Sequence, residues 1–318
     1  MNNKILNLLI IVHYIVFCDF KYTDNTCIIM KKLLQISLFS IPLWVILSCS
    51  QAKDEQVIDI IFLHHSTGAV IWKGKTNTWF SKTTGKISDR VASLLQKKAQ
   101  LPLLFEKYNH KSEKNYSIRE RTFPKITPYG WNNFPYDYYN IWVKNAGPEP
   151  YLQEPTLEML SQEYEIIIFK HCFPVSNIQP DNDSADIDSN KKTLDNYILQ
   201  YLALRQKLNS FPKTKFILFT GAAQVKALTT EEEALKAREF FRWVIDEWDK
   251  PDDNIYLWDL YSLQTEGDLF FKDEYARSST DPHPNVNFAN EVGKLLFNRI
   301  IDVIENNGTR TRLTGETL

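Results

Sequence analysis

The stretch that decides the fold is "IDIIFLHHSTG", residues 58–68. Its first six residues, with Val57 before them, are almost wholly apolar and rich in β-branched side chains. That is the signature of a strand covered on both faces. The run stops at Leu63, and His64, His65, Ser66, Thr67 and Gly68 follow at once. A core strand that ends in histidines, a hydroxyl and a glycine places chemistry-bearing groups at its carboxyl end.

Four further runs have strand length: Leu101–Phe105, Glu165–Phe169, Lys215–Thr220 and Ile255–Leu260. Between them lie helical patterns. Leu194, Tyr197, Ile198, Tyr201, Leu204 and Leu208 recur at helical spacing. Thr230 and Glu233 form a capping box that opens a helix carrying Ala237, Phe240, Phe241, Val244 and Trp248. Phe288, Val292, Leu295, Leu296, Ile300 and Val303 mark a last helix. Strand and helix alternate, which predicts an α/β fold: a three-layer α/β/α sandwich around a mainly parallel five-stranded sheet. One segment, about 107–150, breaks the alternation with "TFPKITPYGWNNFPYDYYNIWV". It reads as an ordered, aromatic-rich insertion over the sheet edge, offering a substrate surface or a second small core cluster.

Of the 318 residues, 43% are hydrophobic and the net charge is −2, which suits a large globular core. A pI near 6.3 and the lack of a basic stripe argue against a nucleic-acid partner. The acidic stretch 179–190 lacks the glycine and terminal Glu of a calcium loop and reads as a solvated loop.

The segment "MKKLLQISLFSIPLWVILSCS" from Met30 has two lysines, an apolar core and "ILSC" before Cys49. It looks like a bacterial lipoprotein signal peptide with Cys49 as the lipidated residue; its apolar stretch is short for a membrane span. The expected organisation is an over-extended start at 1–29, a signal at 30–48, a tether at 49–56, the main α/β domain at 57–306 with the insertion inside it, and a polar tail at 307–318. That placement implies a lipid-anchored envelope protein, in the outer membrane and facing the periplasm or the surface. Cys172 would be the one remaining thiol, so no internal disulfide is expected.

In a parallel sheet, ligands bind beyond the carboxyl ends of the strands. Ser66 lies there. Gly68 permits a tight turn, with backbone N–H groups near a developing oxyanion. A serine needs a base. His283, in "DPHPN" before the last helix, is the candidate, with Asp281 two residues earlier to orient it. Ser66 as a plain helix cap and His283 as a loop residue are the bland alternatives. A zinc site of His64, His171 and His283 has no supporting spacing, and no metal or cofactor is expected. Cys172 reads as a buried small hydrophobe.

From about Val57 to Ile304 this arrangement resembles the SGNH or GDSL-type hydrolases, α/β/α esterases and acyl hydrolases. The resemblance implies Ser66 as nucleophile in "LHHSTG", His283 as base and Asp281 as its orienting acid, with "IIIFKHCFPVSN" as the third strand and its motif. Departures are visible. His64-His65 stand where the family has Gly-Asp, and Asp281 is two rather than three residues before the histidine. Lys170-His171-Cys172 fall where Gly-x-Asn is usual. Lys170, His171, Asn177 and Gly130 are therefore the candidates to complete an oxyanion hole. His65, Trp131 and Asn132 are further site candidates, with His65 also readable as a tie to a neighbouring loop. The implied activity is hydrolysis of an ester on an acylated small molecule or polysaccharide. The alternative is a non-catalytic glycan- or ligand-binding lipoprotein on the same fold.

Overall fold

The computed structural model describes residues 57–74, 99–125, 127–130, 133–181 and 184–318. Cys49, the leader segments, Trp131 and Asn132 lie outside them. Strand β1 (Ile58–His64) is central, and its inner residues Ile60, Phe62 and Leu63 are fully buried. It pairs in parallel with β2 (Tyr116–Thr122) on one side and β3 (Ile166–Phe169) on the other. Strands β4 (Lys215–Phe219) and β5 (Ile255–Trp258) follow, giving the order β2-β1-β3-β4-β5. All four pairings are parallel, as the continuous apolar runs require. The order reverses beside β1, so a crevice opens at the carboxyl end of that strand.

Helices cover both faces. α1 (Ser66–Lys73), α2 (Gln100–Ser112) and α8 (Val286–Asn306) pack together on one. α3 (Pro135–Tyr138), the wide helical turns Tyr139–Lys144, α5 (Leu194–Asn209) and α6 (Glu231–Trp243) pack on the other. Short helices α4 (Leu157–Glu163) and α7 (Leu260–Thr265) complete the connections. The capping box is present: Thr230 Oγ1 accepts from Glu233 N–H, and Glu233 accepts from Thr230 N–H. A small antiparallel hairpin, β6 (Ala276–Ser278) and β7 (Asp281–Pro284), precedes α8.

One expected strand is a helix. Leu101–Phe105 belongs to α2, where Leu101 and Phe105 are one turn apart and buried, and Phe105 meets Phe297 of α8 edge-on at 5.1 Å. The true second strand, "YSIRERT", lies inside the segment read as an insertion. It was concealed by its position: an edge strand exposes Glu120, Arg121 and Thr122, so it carries polar side chains where a core strand has none.

The aromatic segment is largely core. Tyr138 and Trp142 are fully buried, and Trp142 stacks on Phe123 at 5.1 Å and meets Phe169 of β3 edge-on at 5.3 Å. Of the two expectations for this stretch, the second core cluster describes these side chains. Among the described residues, no helix is long and apolar enough to cross a membrane.

Candidate active site

Strand β1 delivers its last residues to the crevice, and α1 begins immediately with Ser66 at its first position. A helix that starts at Ser66 leaves its first backbone N–H groups without intrahelical acceptors. Those of Ser66, Thr67 and Gly68 precede the first helical bond, in which Ala69 N–H donates to His65 O at 2.9 Å. The positive end of the helix is thus beside the Ser66 hydroxyl, where negative charge would develop on an attacked carbonyl.

The hairpin brings the other two groups. Pro282 and Pro284 flank His283 and hold it in extended backbone. His283 Nε2 lies 2.8 Å from Ser66 Oγ. Its Nδ1 lies 2.5 Å from Asp281 Oδ1, which also accepts the His283 backbone N–H at 3.0 Å. A carboxylate on Nδ1 fixes the tautomer, so Nε2 presents its lone pair to the serine. Burial would raise the Asp281 carboxyl, but the His283 backbone N–H and ring, with Arg277 beyond, hold it below its usual range. Phe173, at the start of the turn after β3, meets the His283 ring edge-on at 5.5 Å and screens one side of it. Neither Phe173 nor Arg277 was singled out from the sequence; "FP" directly after the β3 motif was the available signal for the first.

Gly68 has a steric role. A Cβ there would fall 2.3 Å from His64 Cβ, so only glycine lets α1 rest on that ring. His65 Nε2–H donates to Pro124 O at 2.6 Å, the loop tie read as its alternative role. Burial pushes its pKa down to about 4, and neighbouring Lys170 and His64 add to the effect.

Lys170 and His171 are corrected as candidates for oxyanion contacts, because both side chains are fully buried. Lys170 Nζ reaches Cys172 Sγ at 3.8 Å, and its burial depresses the ammonium. His171 Nδ1–H donates to Asn133 Oδ1 at 3.3 Å, while Nε2 accepts from Tyr201 O–H at 2.5 Å. Burial, then the charge of Lys170, holds that imidazole neutral. Asn177 remains half-buried, its Oδ1 accepting from Gln224 Nε2 at 3.0 Å. Gly130 stands in a turn at φ +59°, a left-handed conformation that suits glycine.

His64, His171 and His283 each have separate partners and do not converge. Among the described residues, no three His, Cys, Asp or Glu side chains are grouped to hold a metal. A cleft of about 720 Å³ lies behind the hairpin, lined by Tyr275, Asn285 and Phe288 among others, but Ser66, Asp281 and His283 are not part of its wall.

No protein-family model matches the chain, and no curated protein does. Solved structures do share features of it. One, described as a carbohydrate esterase whose active site displays divergent catalytic and non-catalytic binding functions, aligns over 77% of this chain and 65% of its own, at 13% identity and a TM-score of 0.37. A carbohydrate acetylesterase from Xanthomonas citri aligns over 80% of this chain and 57% of its own, at 9% identity and a TM-score of 0.44. The chain thus spans less than two thirds of the length of either.

Proposed function

We propose that this chain is a serine ester hydrolase of the SGNH type that removes acyl groups from carbohydrate or small-molecule esters. One observation carries the reading: Ser66 Oγ, His283 and Asp281 form an unbroken hydrogen-bonded relay at the carboxyl end of β1. In it Ser66 Oγ attacks the ester carbonyl while His283 Nε2 takes the hydroxyl proton. Asp281 stabilises the imidazolium that results. The N–H groups opening α1 receive the oxyanion. The proton then passes from Nε2 to the leaving alcohol, and water releases the acyl group from Ser66 by the same steps in reverse. No metal is required by this route.

Two finer elements belong to the same proposal. The sequence around Cys49 supports lipid anchoring in a bacterial envelope, with the outer membrane as the preferred site. An envelope location favours an acylated polysaccharide over a cytoplasmic metabolite as substrate.

The test is hydrolysis of a short-chain aryl ester and of acetylated sugars by the protein, beside Ser66→Ala and His283→Ala. The proposal expects turnover by the parent and a loss of at least about 10³-fold in both variants. Turnover unchanged in both variants would sink it. A second reading, a glycan-binding protein on the same fold, is favoured by the full burial of Lys170 and His171, which do not present their donors to the crevice. It expects no turnover, with glycan affinity that survives Ser66→Ala.

A further inference from the structure

His64 is 2% exposed, and both of its ring nitrogens are engaged. Nδ1 lies 2.9 Å from the backbone carbonyl oxygen of His65. Nε2 lies 2.9 Å from Glu120 Oε2 on the edge strand β2. A carbonyl oxygen can only accept, and so can an ionised carboxylate. Each nitrogen must therefore bring a proton, whereas a neutral imidazole has only one to give. Glu120 is half-exposed, with its side chain 36% accessible, so water keeps that carboxylate ionised while its partner is buried. Beside it, Arg119 lies 3.7 Å from Asp59 instead, and the neighbouring His65 imidazole is held neutral by burial.

We propose that His64 is an imidazolium, paired with Glu120, that acts as a positioning residue for the nucleophile. This rests on the assignment of Ser66 made above. The mechanical link is short. The His65 carbonyl receives two bonds, one from His64 Nδ1–H and one from Ala69 N–H, the first bond of α1. Fixing that oxygen fixes the first turn of the helix and Ser66 with it. Two further bonds fasten the same turn to the end of β2. Phe123 N–H donates to His64 O at 3.2 Å, and His65 Nε2–H donates to Pro124 O at 2.6 Å. The edge strand, through Glu120, thus sets where the serine hydroxyl stands relative to His283. The two histidines that stand where the resembled family has Gly-Asp each hold one bond that fixes this turn, His64 to Glu120 and His65 to Pro124 O.

The decisive experiment is ¹⁵N NMR of the ring of His64 in the whole protein at neutral pH, beside Glu120→Gln and a His64→Gln variant that identifies the signals. The proposal expects two proton-bearing nitrogens in the parent and one in Glu120→Gln. A bare, pyridine-type nitrogen in the parent would overturn it. These signals need no substrate, so they separate this proposal from the assignment of Ser66. The positioning role is read from kinetics. The amide nitrogen of His64→Asn stands near Nδ1 and keeps the bond to the His65 carbonyl; that of His64→Gln stands near Nε2 and keeps only Glu120. Turnover on the aryl ester should fall by about 10²-fold in the Gln variant with KM little changed, and by less than about tenfold in the Asn variant. Equal losses in the two would overturn the positioning role.

Discussion

Gly68→Ala is the smallest change that bears on the geometry of the proposed nucleophile, Ser66. The added Cβ would meet His64 Cβ at 2.3 Å and Cγ at 2.6 Å. Carbon atoms in comfortable contact are about 3.5–4.0 Å apart, so a displacement of about 1 Å or more is required. His64 cannot supply it. Its ring packs against Phe62 at 4.5 Å between centroids and is bonded at both nitrogens. The start of α1 must therefore lift, carrying Ser66 with it. A shift of that size along the bond to His283 would stretch it from 2.8 Å to about 3.8 Å, beyond hydrogen-bond reach. Turnover should fall by about 10²-fold, the cost of a misplacement of this size. Stability should change far less. Overpacking costs about 1–3 kcal/mol, and replacing a helical glycine by alanine returns about 1 kcal/mol, leaving a net loss of about 0–2 kcal/mol. Urea unfolding reports the second quantity and aryl-ester kinetics the first. A Gly68→Ala protein with parental turnover would refute the argument that α1 rests immovably on His64.

Two further outcomes follow from the carboxylates. Asp281→Asn replaces an acceptor-only carboxylate with an uncharged amide that can also donate to Nδ1 and select the wrong His283 tautomer, and kcat should fall by about 10²–10⁴-fold with KM nearly unchanged. Because the Asp281 carboxyl is held below its ordinary range, its contribution to folding is present at neutral pH and fades as pH falls through that lowered value. The acid limb of the urea midpoint should accordingly be flatter in the variant than in the parent. Asp137 behaves oppositely. Burial pushes its pKa up to about 7, so the folded state holds a proton that the unfolded chain has released, and stability declines as pH rises from about 4 to about 7. Asp137→Asn, which can still accept the Phe134 N–H, should be more stable than the parent at pH 8 and lose this slope. An identical pH dependence in both proteins would show that the carboxyl is not buried as described.

The parts of this molecule that could be read from residues alone are those whose environment leaves one choice. β1, β3, β4 and β5 are covered on both faces, so their sequences are continuous runs of Ile, Phe and Leu. β2 faces water along one edge and bears Arg119, Glu120 and Arg121, so no apolar pattern announces it. Leu101–Phe105 misleads for a related reason: in five residues an apolar cluster does not show whether its period is two or nearly four. At the site, Ser66 and the Asp281–His283 pair were legible because a hydroxyl at a strand end and a Pro-bounded carboxylate–imidazole pair are local features. Glu120, Asn133 and Phe173 reach the same region through the sheet order and the packing of loops, and no local pattern encodes those contacts. The side chains of Lys170 and His171 were misjudged because their direction depends on whether the chain turns inward after β3.

Sheets of this kind have two open rims, and the far one is β5. Its outward carbonyl at Leu257 accepts from Arg299 Nε at 2.9 Å, and the next outward donor, Asp259 N–H, gives to Leu313 O at 2.9 Å. The Trp258 indole N–H donates to Thr314 O at 2.9 Å, and Arg299 also holds Gly308 O at 2.8 Å. Residues 307–318 are thus a cover strip over a sticky edge. At the opposite rim, β2 carries Arg119, Glu120 and Arg121, charges that discourage pairing. A chain ended after Asn306 would keep every residue of the proposed relay and still uncover a hydrogen-bonding edge, so its failing would be self-association in solution and not a defect in chemistry.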